Sequence, residues 1–362
     1  MKKIIVLSFC LMFYITGCFG QNKDILDENT AYSYEVLSKM SLENNAYNFI
    51  AMGYLLNANN IMYLKTKDTT YLSKNLKLVE NVLKSYVPNQ KNSKNWTIQV
   101  SKNNGNFKHN GSESIVFEGY FFRYVGQFLY IIHNNNLFKS KQPSIFNGLK
   151  YSFDKWNKIS VKRHGDQSNL FHQRFHISAT WAEVALYLDC MGAQKPYYYS
   201  FYSTFDEQLA GALIEKKFND HPYYIWNSTY RNRFTNALKK RKSNPNIIQD
   251  VTHGNHVVEY VLTAVKLGSE TWSKEDLKKF SNTILYSMYN NMEHRFSDNV
   301  DGSFSKNESF QNTGWKVSDG WIKLIPYDEE LAVLFKNFYK KNQLKIKNSS
   351  LSLQFQANLY NE

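Results

Sequence analysis

The sequence predicts an all-α protein, an α/α toroid in which paired helices form an incomplete or closed barrel around a cavity. Three observations lead there. Breakers are scarce, with Pro 6 and Gly 16 in 362 residues, and few breakers favour long helices over many short strands. Apolar residues recur at helical spacing through most of the chain, and no convincing run of alternating residues marks a strand. A weak echo recurs in which a helix ends near Gly and a polar, aromatic-bearing loop follows. Paired helices at this chain length, without strands, suit a ring of inner and outer helices around a cavity.

The amino terminus comes first. Lys2 and Lys3 make a short positive region, Ile4 to Ile15 are apolar, and Ile15-Thr16-Gly17-Cys18 follows. An apolar run of about a dozen residues is short of the roughly 20 that a spanning helix needs, so this is a signal peptide rather than a membrane anchor. The small residues before Cys18 resemble the lipobox of bacterial lipoproteins. That resemblance implies a signal peptide over 1–17, acylation of Cys18 and a lipidated tether over 18–30; the α/α toroid is then expected over 31–345 and a C-terminal tail over 346–362. It implies a place in the bacterial cell envelope, lipid-anchored at the outer membrane or its periplasmic face. An ordinary signal peptide ending a little later is the alternative. Of the Cys 3, Cys190 then remains as a lone thiol. It is expected in the core, without a disulfide partner.

Helical spacing over 32–64, with Tyr47, Ile50, Tyr54 and Ile61, and over 71–86, ending before Pro88, predicts the first two helices. Trp96 to Gly111 is polar and reads as a long loop. A helix resumes over 114–133, with Phe117, Phe121, Tyr124, Val125, Phe128 and Ile132 on its apolar side. Segments 145–156, 178–191, 202–218, 250–267, 273–289 and 329–341 continue the series. The residues after Lys345 are expected to add a short strand or to fray.

The formal charge is +13, and aromatics make up 16% of the chain, with Tyr 26, Phe 25 and Trp 7. A positive field concentrates anions. Sugar rings stack on aromatic faces while Arg and Lys hold carboxylates, so the combination leans toward an acidic polysaccharide as partner. A Lys-rich solvated surface explains the charge equally simply. The basic residues are dispersed and form no recognised nucleic-acid module.

The densest polar constellation is Gln249-Asp250-Val251-Thr252-His253-Gly254-Asn255-His256. Asp250 is placed to cap a helix that Gly268 ends, which puts both histidines in its first turns. Their spacing of three sets them on one face, and Gly254 between them permits close approach to the backbone. A helix amino terminus also favours an anion. No HExxH motif or cysteine cluster accompanies the pair, so neither metal nor cofactor is expected. Histidines that merely satisfy hydrogen bonds near a cap are the plainer explanation. A second cluster runs Asn169-Leu170-Phe171-His172-Gln173-Arg174-Phe175-His176, where His172 and His176 share a face if the stretch is helical. Glu118, Tyr120 and Arg123 open another helix, and Tyr230-Arg231-Asn232-Arg233 is a basic loop. His294-Arg295, Val300-Asp301-Gly302 and Trp315-Lys316-Val317-Ser318-Asp319-Gly320-Trp321 read as rim loops, with Trp315 and Trp321 as sugar platforms.

Asp250-Val-Thr-His-Gly-Asn-His256, Val300-Asp-Gly302 and Ser318-Asp-Gly-Trp-Ile322 together resemble the alginate and glucuronan lyases built on an α/α barrel, found in gut and marine Bacteroidota. The likeness covers about residues 110 to 340, and the family's catalytic tyrosine has no recognisable motif here. The resemblance implies β-elimination at a uronic acid. A group neutralises the carboxylate, a base takes the adjacent proton and an acid protonates the leaving oxygen. It implies His253 or His256 as base or neutraliser, Asn255 and Arg295 as carboxylate binders and Tyr230 as acid. Glu118, Tyr120, Arg123, Asn169, His172, Arg174, His176, Arg231, Trp315 and Trp321 would hold substrate. Two alternatives stay open. One is a glycoside hydrolase on the same architecture, using carboxylates among Glu118, Glu183, Asp250, Asp301 and Asp319. The other is a noncatalytic surface glycan-binding lipoprotein.

Overall fold

A computed structural model describes residues 26–85, 87–88, 94–240, 247–304, 317–342 and 350–360. Cys18, Trp315 and the signal peptide lie outside these residues. The protein is mostly helical, as the scarcity of breakers predicts.

The first helix, α1, covers 26–40, and α2 runs Phe49–Thr66. The single helix expected over 32–64 is therefore two. Between them the Asn45 side chain accepts from the Tyr47 N–H at 3.0 Å, so a short polar residue captures backbone that a continuous helix would use. α2 is buried all round and carries Asn57, Asn59 and Asn60 inside the protein. Thr69–Ser85 form α3, which buries Tyr71, Leu72, Leu78, Val79 and Val82 on one side. Ser114 caps α4, Ile115–Asn134, by accepting from Phe117 N–H. α5 is Gln142–His164, and the short α6 is Ser168–Phe171. α7, Phe175–Cys190, is again buried nearly throughout. α8 follows as Pro196–Ala210 and the short α9 as Asn236–Lys239. α10 is Val251–Lys266 and α11 is Lys274–Thr283, started by a reciprocal Ser273–Asp276 capping box. A π-turn, Ile284–Met288, and a 3₁₀ turn, Ile322–Tyr327, lead to α12, Glu329–Asn342, and α13, Ser350–Leu359.

The buried helices touch in sequence: α2 packs on α4, α4 on α7, and α7 on α10, while α13 packs on the other side of α2. The 3₁₀ turn contacts both α10 and α13. Less completely buried helices lie against these, α3 on α2, α5 on α4 and α7, α8 on α7, and α12 on the 3₁₀ turn. Trp96, Trp181, Trp226 and Trp321 are fully buried in one continuous core. Burying each large apolar side chain contributes about 1.5–3 kcal/mol, and with no disulfide among the described residues this is the main source of stability.

Three departures from the sequence reading have local causes. The helix expected over 202–218 stops at Ala210. Ile214–Phe218 is instead strand β1, paired antiparallel with β2, His221–Ile225, in the register Ile214↔Ile225 to Phe218↔His221. Its two-residue turn places Asn219 at φ 51, and α11 clamps the hairpin through Thr283, whose Oγ1 accepts from Tyr224 N–H at 3.1 Å. The tail is neither strand nor frayed over 350–359: Leu353, Phe355 and Ala357 of α13 are buried. Cys190 is exposed rather than in the core, because it ends α7 two residues past Leu188, the last buried residue of the helix.

Candidate active site

The site is built on the first turns of α10. Asp250 is the N-cap, and its carboxylate accepts from the His253 N–H at 2.9 Å. The same carboxylate meets His253 Nδ1 at 2.9 Å from each oxygen. Burial pushes the Asp250 carboxyl upward, but its bonds to His253 outweigh that and hold it below the usual carboxylate range. An ionised carboxylate only accepts, so Nδ1 carries a proton and Nε2 of the neutral ring is left with its lone pair. The His253 side chain is 41% exposed, so that lone pair is within reach of solvent.

His176, in the first turn of α7, stacks on His253 with ring centroids 4.1 Å apart. His256 lies with its ring centroid 6.2 Å from that of His176 and packs T-shaped with Tyr120, from α4, at 4.4 Å. Both buried histidines are held well below the ordinary imidazole pKa. For His176 the causes are burial and then His253, Arg174 and His172; for His256 they are burial and then Arg123, His176 and His253. Nδ1 of each is buried without a hydrogen-bond partner. Burial, with Tyr54 of α2 next, keeps Tyr120 protonated well above the ordinary phenol range. Tyr54, Tyr120, His176, His253 and His256 thus come from early turns of α2, α4, α7 and α10, whose dipoles favour an anion.

A buried charge network lies alongside. Arg123 pairs with Asp319 at 2.6 Å and faces Glu183 at 3.8 Å. Lys323 pairs with Glu259 at 2.5 Å and Asp319 at 3.0 Å. Tyr124 donates to Asp319 at 2.5 Å, Asn57 donates to Asp319 at 2.9 Å and to Gln354 at 2.7 Å, and Thr263 donates to Glu183 at 3.2 Å. Three carboxyls share two cations. Burial, then Glu259, raises the Glu183 carboxyl to about 8, so it keeps its proton at neutral pH and the charges balance.

The two glycine-bearing motifs do meet α10, though not as a rim. Val251 N–H donates to Asp298 O at 2.8 Å and Val300 N–H to Gln249 O at 3.0 Å, which ties the Val300–Gly302 turn to the helix start. Asn255 Oδ1 accepts from the backbone of Asp319 at 3.3 Å and Trp321 at 3.4 Å, and its amide donates to Thr252 O at 3.0 Å. Asn255 holds a loop rather than facing a ligand. Trp321 is fully buried and donates to Val251 O at 2.9 Å, so it offers no sugar platform. The partner that Gly254 admits is this indole: a Cβ there would stand 2.9 Å from Trp321. Gly320 is as close to α10, where a Cβ would meet Glu259 N at 2.6 Å.

The other expected residues divide. Arg174, at the N-cap of α7, and His172, at φ 45, both lie near enough to His176 to act on its charge. Arg123 is wholly buried in the network, and Glu118 is buried against Lys155 at 2.6 Å and Ser152 at 2.8 Å; neither is open to a ligand. Tyr230 is buried, its ring 4.1 Å from the Phe175 ring. Arg295 pairs with Glu293 and lies 4.3 Å over Phe304 on a small hairpin. Asn169 meets His164 at 3.0 Å, and Arg231 is exposed. Glu259, Lys323 and Asn57 were missed, although a charged or amide residue inside an apolar helix is the mark of a buried polar partnership.

Among the described residues, no group of three His, Cys, Asp or Glu side chains is arranged to hold a metal ion. No family model, curated protein or solved structure matches the chain.

Proposed function

We propose that the chain is a polysaccharide lyase that cleaves a uronic acid-containing glycan, such as alginate or glucuronan, by β-elimination. Asp250–His253 carries this reading. A histidine whose Nδ1 is fixed by a carboxylate and whose Nε2 reaches solvent is equipped to take a proton from carbon. The carboxylate beside that carbon would sit at the gathered helix starts, with Arg174 at the margin, and their positive ends would offset its charge as the carbanion forms. Tyr120, kept protonated by burial, is the donor proposed for the leaving oxygen. The toroid belongs to this proposal: α13, α2, α4, α7, α10 and the 3₁₀ turn would be the inner ring, with α3, α5, α8, α11 and α12 outside. So does export as a lipoprotein acylated at Cys18 and held on the cell envelope.

The hydrolase reading is less well supported, because it needs two accessible carboxyls across a glycosidic bond. Of the five candidates, Glu118, Glu183 and Asp319 are buried, Asp250 is committed to His253, and Asp301 is left as a single exposed carboxyl. The test is near-ultraviolet absorbance during incubation with alginate, glucuronan, pectin, hyaluronan and heparin-like glycans, since an unsaturated uronic end absorbs and a hydrolytic end does not. A rise with one polymer, cut by about 10²–10⁴ in His253→Ala, is expected for loss of a general base. New reducing ends without absorbance would replace the lyase with a hydrolase. Binding without either product would leave a glycan-capture protein.

A further inference from the structure

A cavity of about 300 Å³ opens at the other ends of the same helices, where α2, α7 and α10 finish. Ile61, Leu64, Leu262 and Ile325 make its walls apolar, and its charged lining sets Lys65, Lys266 and Lys323 against one carboxylate, Glu259. That carboxylate is closed to a ligand: one oxygen accepts from Lys323 at 2.5 Å, and the other is buried with almost no accessible surface. Two groups left open are donors. Lys266 is exposed at the mouth and makes no ion pair or hydrogen bond among the described residues. Gln127 Oε1 accepts from Asn60 at 2.9 Å, which leaves Nε2 of this lining residue with donors to spare. Although Lys266 reaches solvent, desolvation by the protein around it lowers its pKa; Glu259 opposes that, and Lys323 and Lys67 add to it. An anion beside Lys266 would reverse the effect. Helix-end carbonyls, which disfavour an anion, are engaged here. Tyr63 O accepts from Lys67 N–H, Thr263 O and Ala264 O accept from Leu267 and Ser269 N–H, and Lys65 holds the carbonyls of Asn358 and Tyr360 at 2.6 Å each.

We propose that this cavity binds a small monocarboxylate with a hydrocarbon body, its head paired with Lys266 at the mouth and its chain lying against Ile61, Leu64, Leu262 and Ile325. At about 30 Å³ for each water-sized unit, the cavity takes about ten heavy atoms, the size of octanoate. The apolar walls select the body, and the unpaired lysine selects the head. The site is separate from Asp250–His253 and does not depend on the lyase reading.

Isothermal titration calorimetry of the whole protein with octanoate, n-octanol and n-octylammonium tests this. Saturable binding of octanoate, at least about tenfold tighter than the alcohol or the amine, is expected for a charge-assisted bond. Lys266→Met keeps the side chain's length without its charge and should bind octanoate no more tightly than octanol. Leu64→Trp, which fills the cavity from its partly buried rim, should abolish binding of all three; should that variant fail to fold, the exposed Lys266→Met and the three-ligand comparison still decide. Equal binding of acid and alcohol, tighter binding of the amine, no saturable binding, or an octanoate preference that survives Lys266→Met overturns the proposal.

Discussion

Asp250 performs two tasks with one carboxylate, capping α10 and orienting His253, and substitutions can separate them. Asparagine caps a helix about as well as aspartate but cannot fix a basic imidazole as a carboxylate does. Asp250→Asn should therefore melt within a degree or two of the unaltered protein while turnover falls by at least tenfold, whereas Asp250→Ala should also cost about 1 kcal/mol of stability. Equal turnover in Asp250→Asn and the parent would remove the carboxylate from the chemistry. His176 and His256 make a pH prediction. Their folded pKa values lie below the ordinary imidazole value of about 6.5, so above that pH they are neutral in both states and contribute nothing. Below it the unfolded chain takes up protons that the folded chain refuses, and stability falls. Calorimetric melting from pH 7 down to pH 5 should show a shallower decline in His256→Gln than in the parent. Parallel curves would mean that His256 titrates normally in the fold.

At the scale of elements, the legible helices are those whose ends carry chemistry. The expected 250–267 and the observed Val251–Lys266 agree because Asp250 caps one end and Gly268, at φ 85, turns the chain at the other. The β1–β2 hairpin was hidden because its strands carry Lys216 and Lys217 instead of alternating apolar residues, and a tertiary contact with α11 supplies what local pattern does not. Gathering the site was half legible. His253, His256 and His176 come together, while Trp321 was read outward because Asp-Gly turns are usually solvated; here Gly254 and Gly320 remove the side chains that would keep its indole off α10. Gly320→Ala sets a methyl 2.6 Å from a backbone nitrogen that cannot swing aside. It should destabilise by about 1–3 kcal/mol and shift the tryptophan emission, as overpacking at a rigid contact does. An unchanged midpoint in urea would mean that the loop has slack.

Across the whole molecule, Arg123, Lys323, Asp319, Glu259 and Glu183 join α4, α7, α10 and the 3₁₀ turn, and Asn57 and Gln354 extend the links to α2 and α13. Buried charges of this kind tolerate no imbalance. Arg123→Met would leave three carboxyls against one cation and should cost about 3–5 kcal/mol, measured as the drop in unfolding free energy. The converse change is more discriminating, because the network balances only while Glu183 keeps its proton. Its folded pKa of about 8 lies above the unfolded value of 4.5, so its stabilising contribution is complete below pH 4.5 and is lost as pH rises through 8. Glutamine reproduces the protonated carboxyl without titrating. Glu183→Gln should therefore match the parent in acid, gain on it steadily between pH 4.5 and 8, and hold a constant advantage at higher pH. Denaturant unfolding at several pH values reads that gap directly. A gap that does not change with pH would put the retained proton on Glu259 or Asp319, and the charge balance would have to be redrawn around that carboxyl.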